Sequence, residues 1–270
     1  MHSKEEKIAA LGAVLDTLDI LRVKCPWDAK QTNQSLRSNT IEETYELAQA
    51  ILAEDNPNIC KELGDVLLHI FFYAKIGEEK QAFDIADVAN ALNQKLIFRH
   101  PHVFGTVHAD DAHQVEQNWE QIKLKEKGGN RTVLEGVPEA LPALIKAYRI
   151  QEKAANAGFD WEEPRQVWDK VREEMAEVEA EIKAREDSGD PKANRERLEE
   201  EFGDMMFAIV NAARLYKVNP ENALEKCNRK FIRRFGYVEQ QAAAHGQKLN
   251  EMTLAEMDRY WDEAKAQEHS

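Results

Sequence analysis

The chain has 270 residues and is acidic, with 50 aspartates and glutamates against 36 lysines and arginines and a formal charge of −14. A protein that binds a nucleic acid polymer needs a basic surface to replace the counterions of the phosphates, so this charge argues against such a partner and against an anionic membrane surface. Glycine and proline together contribute only 20 residues, which predicts long helices and few turns. A hydrophobic content of 43% is typical of a globular protein with one large or two smaller domains.

The expected compartment is the cytoplasm. No stretch of about 18 apolar residues predicts a membrane span. The charged start MHSKEEK has no apolar segment behind it, so we expect no signal peptide. Three scattered cysteines form no CxxC motif, which is typical of a protein in a reducing environment.

Apolar residues at helical spacing predict four helices in the first half of the chain. The first helix ends before Pro26, because the residue ahead of a proline disfavours the α conformation. The apolar stripe of the first helix comprises Ile8, Leu11, Leu15, Leu18 and Leu21. The stripe of the second comprises Ile41, Tyr45, Ala48, Ile51 and Leu52. The stripe of the third comprises Leu63, Val66, Leu67, Ile70, Phe71 and Ala74. Asp84 is the predicted N-cap of a fourth helix, with Val88, Leu92 and Leu96 facing inward.

The second half of the chain repeats motifs of the first half in the same order, at offsets between 131 and 142 residues. The matching pairs are Glu42-Glu43-x-x-Glu46 with Glu173-Glu174-x-x-Glu177, Glu62-Leu63-Gly64-Asp65 with Glu201-Phe202-Gly203-Asp204, Asn93-x-Lys95-x-x-x-Arg99 with Asn228-x-Lys230-x-x-x-Arg234, and Trp119-Glu120-x-x-Lys123 with Trp261-Asp262-x-x-Lys265. Four ordered matches indicate a duplicated domain.

The duplication predicts an all-α protein with two tandem helical domains of four or five helices each. Asn219 and Pro220 predict the N-cap and first residue of a helix in the second half. A segment rich in glycine and proline, 126–142, marks the boundary. We therefore expect domains at 1–127 and 139–270, joined by a linker at 128–138.

The repeated acidic residues predict a metal site in each half. Each pair, such as Glu43 with Glu46 or Glu62 with Asp65, is three residues apart and shares one helix face. Four carboxylates on apolar helices repel one another and lose hydration on burial, so they need a divalent cation. Carboxylate oxygens favour Mg²⁺, with Mn²⁺ as a substitute. The mid-helix glycines Gly64 and Gly203 predict a close helix approach or a ligand beside the metal.

Other metal centres fit the sequence less well. A di-iron site needs a Glu-x-x-His motif on each of two helices, whereas Asp65 and Asp204 occupy the position of that histidine. Zinc would need more ligands than His100-Pro101-His102 offers, and this motif is better interpreted as a helix end stopped by proline.

Two basic pairs predict phosphate binding next to the metal. Lys95 with Arg99, and Lys230 with Arg234, are each one helical turn apart. Mg²⁺ is usually held by a few carboxylates and substrate phosphates, and basic side chains cover the remaining phosphate charge. The sequence contains no GxxxxGK[ST] or GxSxG motif, so we expect metal-assisted attack of water on phosphorus.

Together these motifs resemble the MazG family of all-α nucleoside triphosphate pyrophosphohydrolases. The resemblance covers residues 5–268 and rests on the two sets of carboxylates, on the duplication, and on Cys25-Pro26-Trp27-Asp28, Arg99-His100-Pro101-His102-Val103-Phe104 and Gly158-Phe159-Asp160-Trp161. It implies hydrolysis of an NTP or dNTP to the monophosphate and pyrophosphate with Mg²⁺. It also implies a homodimer, in which each domain completes a four-helix-bundle core against its counterpart.

Carried over by position, the resemblance implies metal binding by Glu174, Glu177, Glu201 and Asp204, and phosphate binding by Lys230 and Arg234. Glu43, Glu46, Glu62, Asp65, Lys95 and Arg99 occupy the same places in the first half. Either Glu174 or Glu177 could accept a proton from water. Either Trp161 or Phe159 could stack on the base, and ordinary core packing is the alternative role for both aromatic side chains.

Both halves carry complete sets of these residues, and the family pattern favours catalysis in the second. Two alternatives stay open. One is a pyrimidine-specific dUTP or dCTP pyrophosphatase of the same all-α type. The other is a catalytically silent helical scaffold that binds nucleotides or a protein.

Overall fold

The computed structural model describes residues 1–105, 115, 122 and 132–268. Within these residues the chain forms ten α-helices and no β-strand, which confirms the all-α prediction. The chain divides into two compact units, Met1–Asp110 (unit 1) and Asp111–Ser270 (unit 2). The predicted domain end at residue 127 and the motif Trp119-Glu120-x-x-Lys123 lie outside the described residues.

Unit 1 consists of helices α1 (Lys4–Lys24), α2 (Asn33–Leu52), α3 (Asn56–Glu79), α4 (Ile85–Arg99) and the short α5 (Pro101–Phe104). Helices α2 and α3 pack along each other, and α1 and α4 both contact α3. Helix α1 ends before Pro26, and the α4–α5 junction falls at His100, as the prolines predicted. The predicted cap of α4 is confirmed, since Asp84 Oδ1 accepts a hydrogen bond from the Asp87 backbone N–H at 3.0 Å.

Unit 2 contains helices α6 (Ala143–Asn156), α7 (Val167–Ser188), α8 (Arg195–Leu215), α9 (Pro220–Ala244) and α10 (Leu254–Glu268). Helices α7 and α8 pack together as the counterparts of α2 and α3, α6 lies against α8 and α9, and α10 packs on α9. Pro220 begins α9, and Asn219 Oδ1 accepts from the Asn222 backbone N–H at 3.0 Å, as predicted. None of the described helices has the length and apolar character that a membrane span requires.

The predicted burial of the apolar stripes is wrong in part. The unit 1 core is built from Leu18, Leu36, Phe71, Phe72 and Ile76. The α4 side chains predicted to face inward are exposed, with 37%, 48% and 45% of their surface accessible at Val88, Leu92 and Leu96. Periodicity identifies an apolar helix face, but it does not tell whether the same unit has a helix to cover that face.

The two mid-helix glycines lie in open space. Apart from its chain neighbours and the nearby backbone of its own helix, a Cβ atom added at Gly64 or Gly203 would meet no heavy atom within 4 Å among the described residues. The prediction of a close helix approach at these glycines is therefore wrong within each described unit. Room beside the neighbouring carboxylates is the remaining explanation that the sequence offered.

Candidate metal centre

Unit 1 gathers three of its four predicted carboxylates into a cluster, formed by Glu43 on α2 with Glu62 and Asp65 on α3. One oxygen from each of the three lies within 4.8 Å of the others. Glu62 and Asp65 are one helical turn apart and meet Glu43 because α2 and α3 pack along each other. Glu46 is exposed and lies outside this cluster.

The charges of the unit 1 cluster are only partly balanced. Burial raises the pKa of Glu43 above its usual range, and the charges of Asp65, Glu46 and Glu62 raise it further. Lys61 Nζ lies 2.9 Å from Glu62 Oε1 and 3.6 Å from Asp65 Oδ2. The hydrogen bond to Glu62 in turn raises the pKa of Lys61.

One oxygen of the unit 1 cluster has no partner. Glu62 is only 3% exposed, and its buried Oε2 has no hydrogen bond within the described part of the chain. A buried carboxylate oxygen without a partner is costly, and a cation removes that cost. The all-oxygen donor set therefore fits a hard divalent ion such as Mg²⁺ or Mn²⁺.

Unit 2 builds a corresponding cluster from Glu174 and Glu177 on α7 and Glu201 on α8, again with one oxygen of each within 4.8 Å of the others. Glu174 is buried, whereas Glu177 is exposed. Desolvation raises the pKa of Glu177, and a hydrogen bond to Glu174 together with the charges of Glu174 and Glu201 raises it further. Asp204 lies outside the cluster and lines a cavity together with Glu174.

Each cluster has a lysine that was not among the predicted site residues. In unit 2 it is Lys170, whose Nζ lies 2.6 Å from Glu174 Oε1 and 2.8 Å from Glu173 Oε1. These hydrogen bonds raise the pKa of Lys170. In unit 1 the corresponding cation, Lys61, comes from α3 and not from α2. The signal available in the sequence was the spacing of four residues from Lys170 to Glu174 and from Lys61 to Asp65.

Among the described residues, the predicted phosphate ligands Lys95, Lys230 and Arg234 form no ion pair with the carboxylate clusters. Lys95 and Lys230 are exposed and form no ion pair with another described residue, and Arg99 is half-buried at the end of α4. Arg234 instead pairs with Glu268 of α10, with Nη2 and Nε at 2.6 Å and 3.1 Å from Oε2.

Two arginines hold Glu268, since Arg233 Nε also donates to its Oε1 at 2.9 Å. The guanidinium groups of Arg234 and Arg233 lower the pKa of Glu268 to about 2. The Arg234 guanidinium also lies over the Trp261 ring, 5.7 Å from the ring centroid. A phosphate that binds the Nε–Nη2 edge of Arg234 would have to replace the Glu268 carboxylate.

A cavity of about 770 Å³ opens beside the unit 2 cluster. Its aromatic lining residues are Phe159, Trp161 and Phe207. Its charged lining residues are Asp160, Lys170, Glu174, Asp204 and Arg214. The predicted stacking residue Trp161 is 41% exposed and its alternative Phe159 is 84% exposed. This space, the unit 2 cavity, has the size of pockets that enclose small organic ligands.

The matching helix of unit 1 carries larger side chains. Counting back 139 residues, Ala208, Asn211 and Ala212 of α8 correspond to His69, Phe72 and Tyr73 of α3. His69 is 7% exposed and Phe72 is 2% exposed. Thr40 Oγ1 lies 3.1 Å from His69 Nδ1 and 2.6 Å from the Tyr73 hydroxyl, so this part of unit 1 is packed and hydrogen-bonded.

Comparison with known proteins gives consistent matches over both units. A family model described as the MazG nucleotide pyrophosphohydrolase domain matches residues 31–104 and 162–238. The chain is 44% identical over 242 residues to the nucleoside triphosphate pyrophosphohydrolase/pyrophosphatase MazG of Thermotoga maritima, covering 89% of each chain. It is 43% identical over 246 residues to a nucleoside triphosphate pyrophosphohydrolase of Escherichia coli, covering 90% of this chain and 91% of the relative.

Proposed function

The chain belongs to the MazG nucleotide pyrophosphohydrolase family, and from this premise we propose that it hydrolyses ribo- and deoxyribonucleoside triphosphates to the monophosphate and pyrophosphate with Mg²⁺. The enzyme class follows from its identity with relatives named nucleoside triphosphate pyrophosphohydrolase. The observation that supports the metal is the carboxylate cluster repeated in both units, with a buried oxygen of Glu62 left without a partner. Mn²⁺ is the expected substitute.

The metal would be held by carboxylates of both packed helices in each unit. When bound, Mg²⁺ supplies Lewis acidity, which lowers the pKa of a coordinated water and offsets phosphate charge. The proposed ligands are Glu174, Glu177, Glu201 and Asp204 in unit 2, and Glu43, Glu46, Glu62 and Asp65 in unit 1.

The acidic side chains differ in their freedom to accept a proton. Lys170 holds Glu174 Oε1 at 2.6 Å, whereas Glu177 is exposed and close to both of its neighbours in the cluster. We therefore assign the general base to Glu177, which would take the proton from the attacking water. Lys230 and Arg234 would neutralise the pyrophosphate leaving group once Arg234 is released from Glu268.

We place catalysis in unit 2 because of the difference between the matching helices. The unit 2 cavity adjoins Glu174 and Asp204 and has aromatic walls on which Trp161 or Phe159 could stack with a base. At the matching positions of unit 1, the side chains of His69 and Phe72 are buried. Unit 1 would then hold metal without offering the same space to a nucleoside.

A homodimer is the proposed assembly. Apolar side chains of α4 are exposed, among them Leu92, Leu96 and Phe98 at 48%, 45% and 49%. A second copy would bury this surface and complete a four-helix bundle. The proposed domains remain 1–127 and 139–270, and the cytoplasm remains the proposed compartment.

Product analysis with ATP and Mg²⁺ tests the proposed reaction. AMP and pyrophosphate as primary products are expected, and ADP with orthophosphate would contradict it. Asp204→Ala is expected to abolish turnover and Asp65→Ala, its matched control in unit 1, to retain it. A panel of eight NTPs and dNTPs separates broad hydrolysis from a pyrimidine-specific pyrophosphatase, and absence of turnover on all eight would favour the silent scaffold.

A further inference from the structure

Gln151 on α6 presents an unpaired hydrogen-bond acceptor in the wall of the unit 2 cavity. It lines the cavity and is 6% exposed. Its Nε2 donates to the backbone carbonyl oxygen of Phe207 at 2.8 Å, and its buried Oε1 has no partner within the described residues. Because a carbonyl can only accept, the contact with Phe207 fixes which end of the amide is nitrogen. Gln151 therefore offers a fixed oxygen.

Asn211 on α8 supplies a donor in the same wall. It lies one helical turn after Phe207, whose carbonyl holds Gln151. Asn211 Oδ1 accepts from Arg214 Nε at 3.0 Å and from Arg214 Nη2 at 2.8 Å. Arginine has donors only, so the Asn211 amide is also fixed and its Nδ2 remains as a donor. Arg214 is held in turn by Asp160, with Nη1 3.0 Å from Oδ2.

The surroundings of these two amides match the shape and chemistry of a nucleobase. Phe159, Trp161 and Phe207 form aromatic walls, and the metal-site residues Glu174 and Asp204 line the same cavity. A planar heteroaromatic ring stacks well on aromatic side chains. The edge of such a ring carries both a donor and an acceptor, so it can form hydrogen bonds with the Gln151 oxygen and the Asn211 nitrogen. An apolar ligand would leave both groups unpaired.

We propose that Gln151 and Asn211 read the pairing edge of the substrate base. Gln151 Oε1 accepts from an N–H of the base, and Asn211 Nδ2 donates to the neighbouring ring nitrogen or carbonyl oxygen. This inference rests on the proposed function and adds the base contacts to it. Adenine, guanine, cytosine and uracil each carry an N–H next to an acceptor on that edge, so the two amides admit all four and reject rings that lack the N–H.

The test for Gln151 compares ATP with purine riboside triphosphate, in which hydrogen replaces the 6-amino group. The measured quantity is the ratio of kcat/KM for the two nucleotides, with pyrophosphate as the detected product. The wild type is expected to prefer ATP by about 10-fold or more, because the analogue leaves the Gln151 oxygen unpaired. Gln151→Met is expected to bring the ratio close to one. Gln240→Met, which changes an exposed glutamine of α9, is the matched control and should retain the wild-type ratio.

A ratio within one variant does not change if a fraction of that variant is unfolded, so a loss of stability cannot imitate the expected result. A wild type that hydrolyses both nucleotides equally, or an unchanged preference in Gln151→Met, would overturn the role of Gln151. The same comparison with 1-deaza-ATP, which lacks the ring nitrogen beside the amino group, tests Asn211 through Asn211→Leu. If the wild type releases pyrophosphate from neither ATP nor any analogue, the proposed function itself fails and the base contacts fail with it.

Discussion

Replacing Glu43 with glutamine tests whether repulsion among the carboxylates of the unit 1 cluster destabilises the protein when no metal is bound. Its oxygen lies within 4.8 Å of those of Glu62 and Asp65. Two unit charges 4.8 Å apart repel by about 0.9 kcal/mol in water and by about 3.5 kcal/mol at an effective dielectric constant near 20. Glu43 is half-buried and Lys61 offsets part of the charge, so a value near the lower bound applies to each pair.

Removing one charge relieves two such pairs. The metal-free Glu43→Gln variant is therefore expected to be more stable than the wild type by about 1–2 kcal/mol. For a unit of this size each 1 kcal/mol shifts the melting temperature by roughly 4–8 °C, so the variant should melt roughly 4–16 °C higher than the wild type. In saturating Mg²⁺ the order should reverse or the gap should close, because the variant has lost a metal ligand.

Thermal unfolding followed by far-UV circular dichroism, in EDTA and in Mg²⁺, measures both effects. Glu42→Gln is the matched control, since it removes an exposed carboxylate next to the cluster without removing a ligand. The control should change little in either condition. A Glu43→Gln variant that melts below the wild type in EDTA, or that gains as much from Mg²⁺ as the wild type, would refute the reasoning.

Three further predictions concern pH, the ion pair at the end of α10 and the unit 1 core. Because its pKa is raised, the Glu43 carboxyl stays protonated to a higher pH in the native state than in the unfolded state. The free energy of unfolding without metal should therefore fall as pH rises from the usual glutamate pKa through the raised one. Denaturant unfolding across a pH series should show this slope in the wild type and lose it in Glu43→Gln. Glu268→Gln should release Arg234 for phosphate and lower the KM for ATP several-fold. Steady-state kinetics that show an unchanged or higher KM would contradict a phosphate role for Arg234. Leu36→Ala removes a core side chain that is 2% exposed and should lower the free energy of unfolding by about 2–5 kcal/mol; a loss below about 1 kcal/mol in denaturant unfolding would show that this site is not tightly packed.

Local physics made the helices and much of the metal centre predictable. The caps at Asp84 and Asn219 and the helix end before Pro26 depend on hydrogen bonds and sterics within a few residues. The carboxylate clusters depend on two helices that pack along each other and on residues one turn apart, such as Glu62 and Asp65. The hydrophobic periodicity and the residue spacing of the sequence therefore predict both the helix ends and the carboxylates that share a helix face.

Other features depend on contacts that no spacing in the sequence records. Glu268 lies 34 residues beyond Arg234, and they meet only because α10 packs on α9. Gln151 reaches the unit 2 cavity from α6, which carries no repeated motif, and its importance rests on the single carbonyl of Phe207 that fixes it. The exposure of the α4 stripe, as at Leu92, likewise depends on whether another surface covers it.

The position of bond cleavage is the most direct test of the proposed chemistry. Hydrolysis of ATP in water labelled with heavy oxygen, with Mg²⁺ present, should place the label in AMP and none in pyrophosphate, because the attacking water becomes part of the α-phosphate. Mass spectrometry of the two products measures this directly. Label in pyrophosphate instead of AMP would mean attack at the β-phosphorus and would contradict the proposed mechanism.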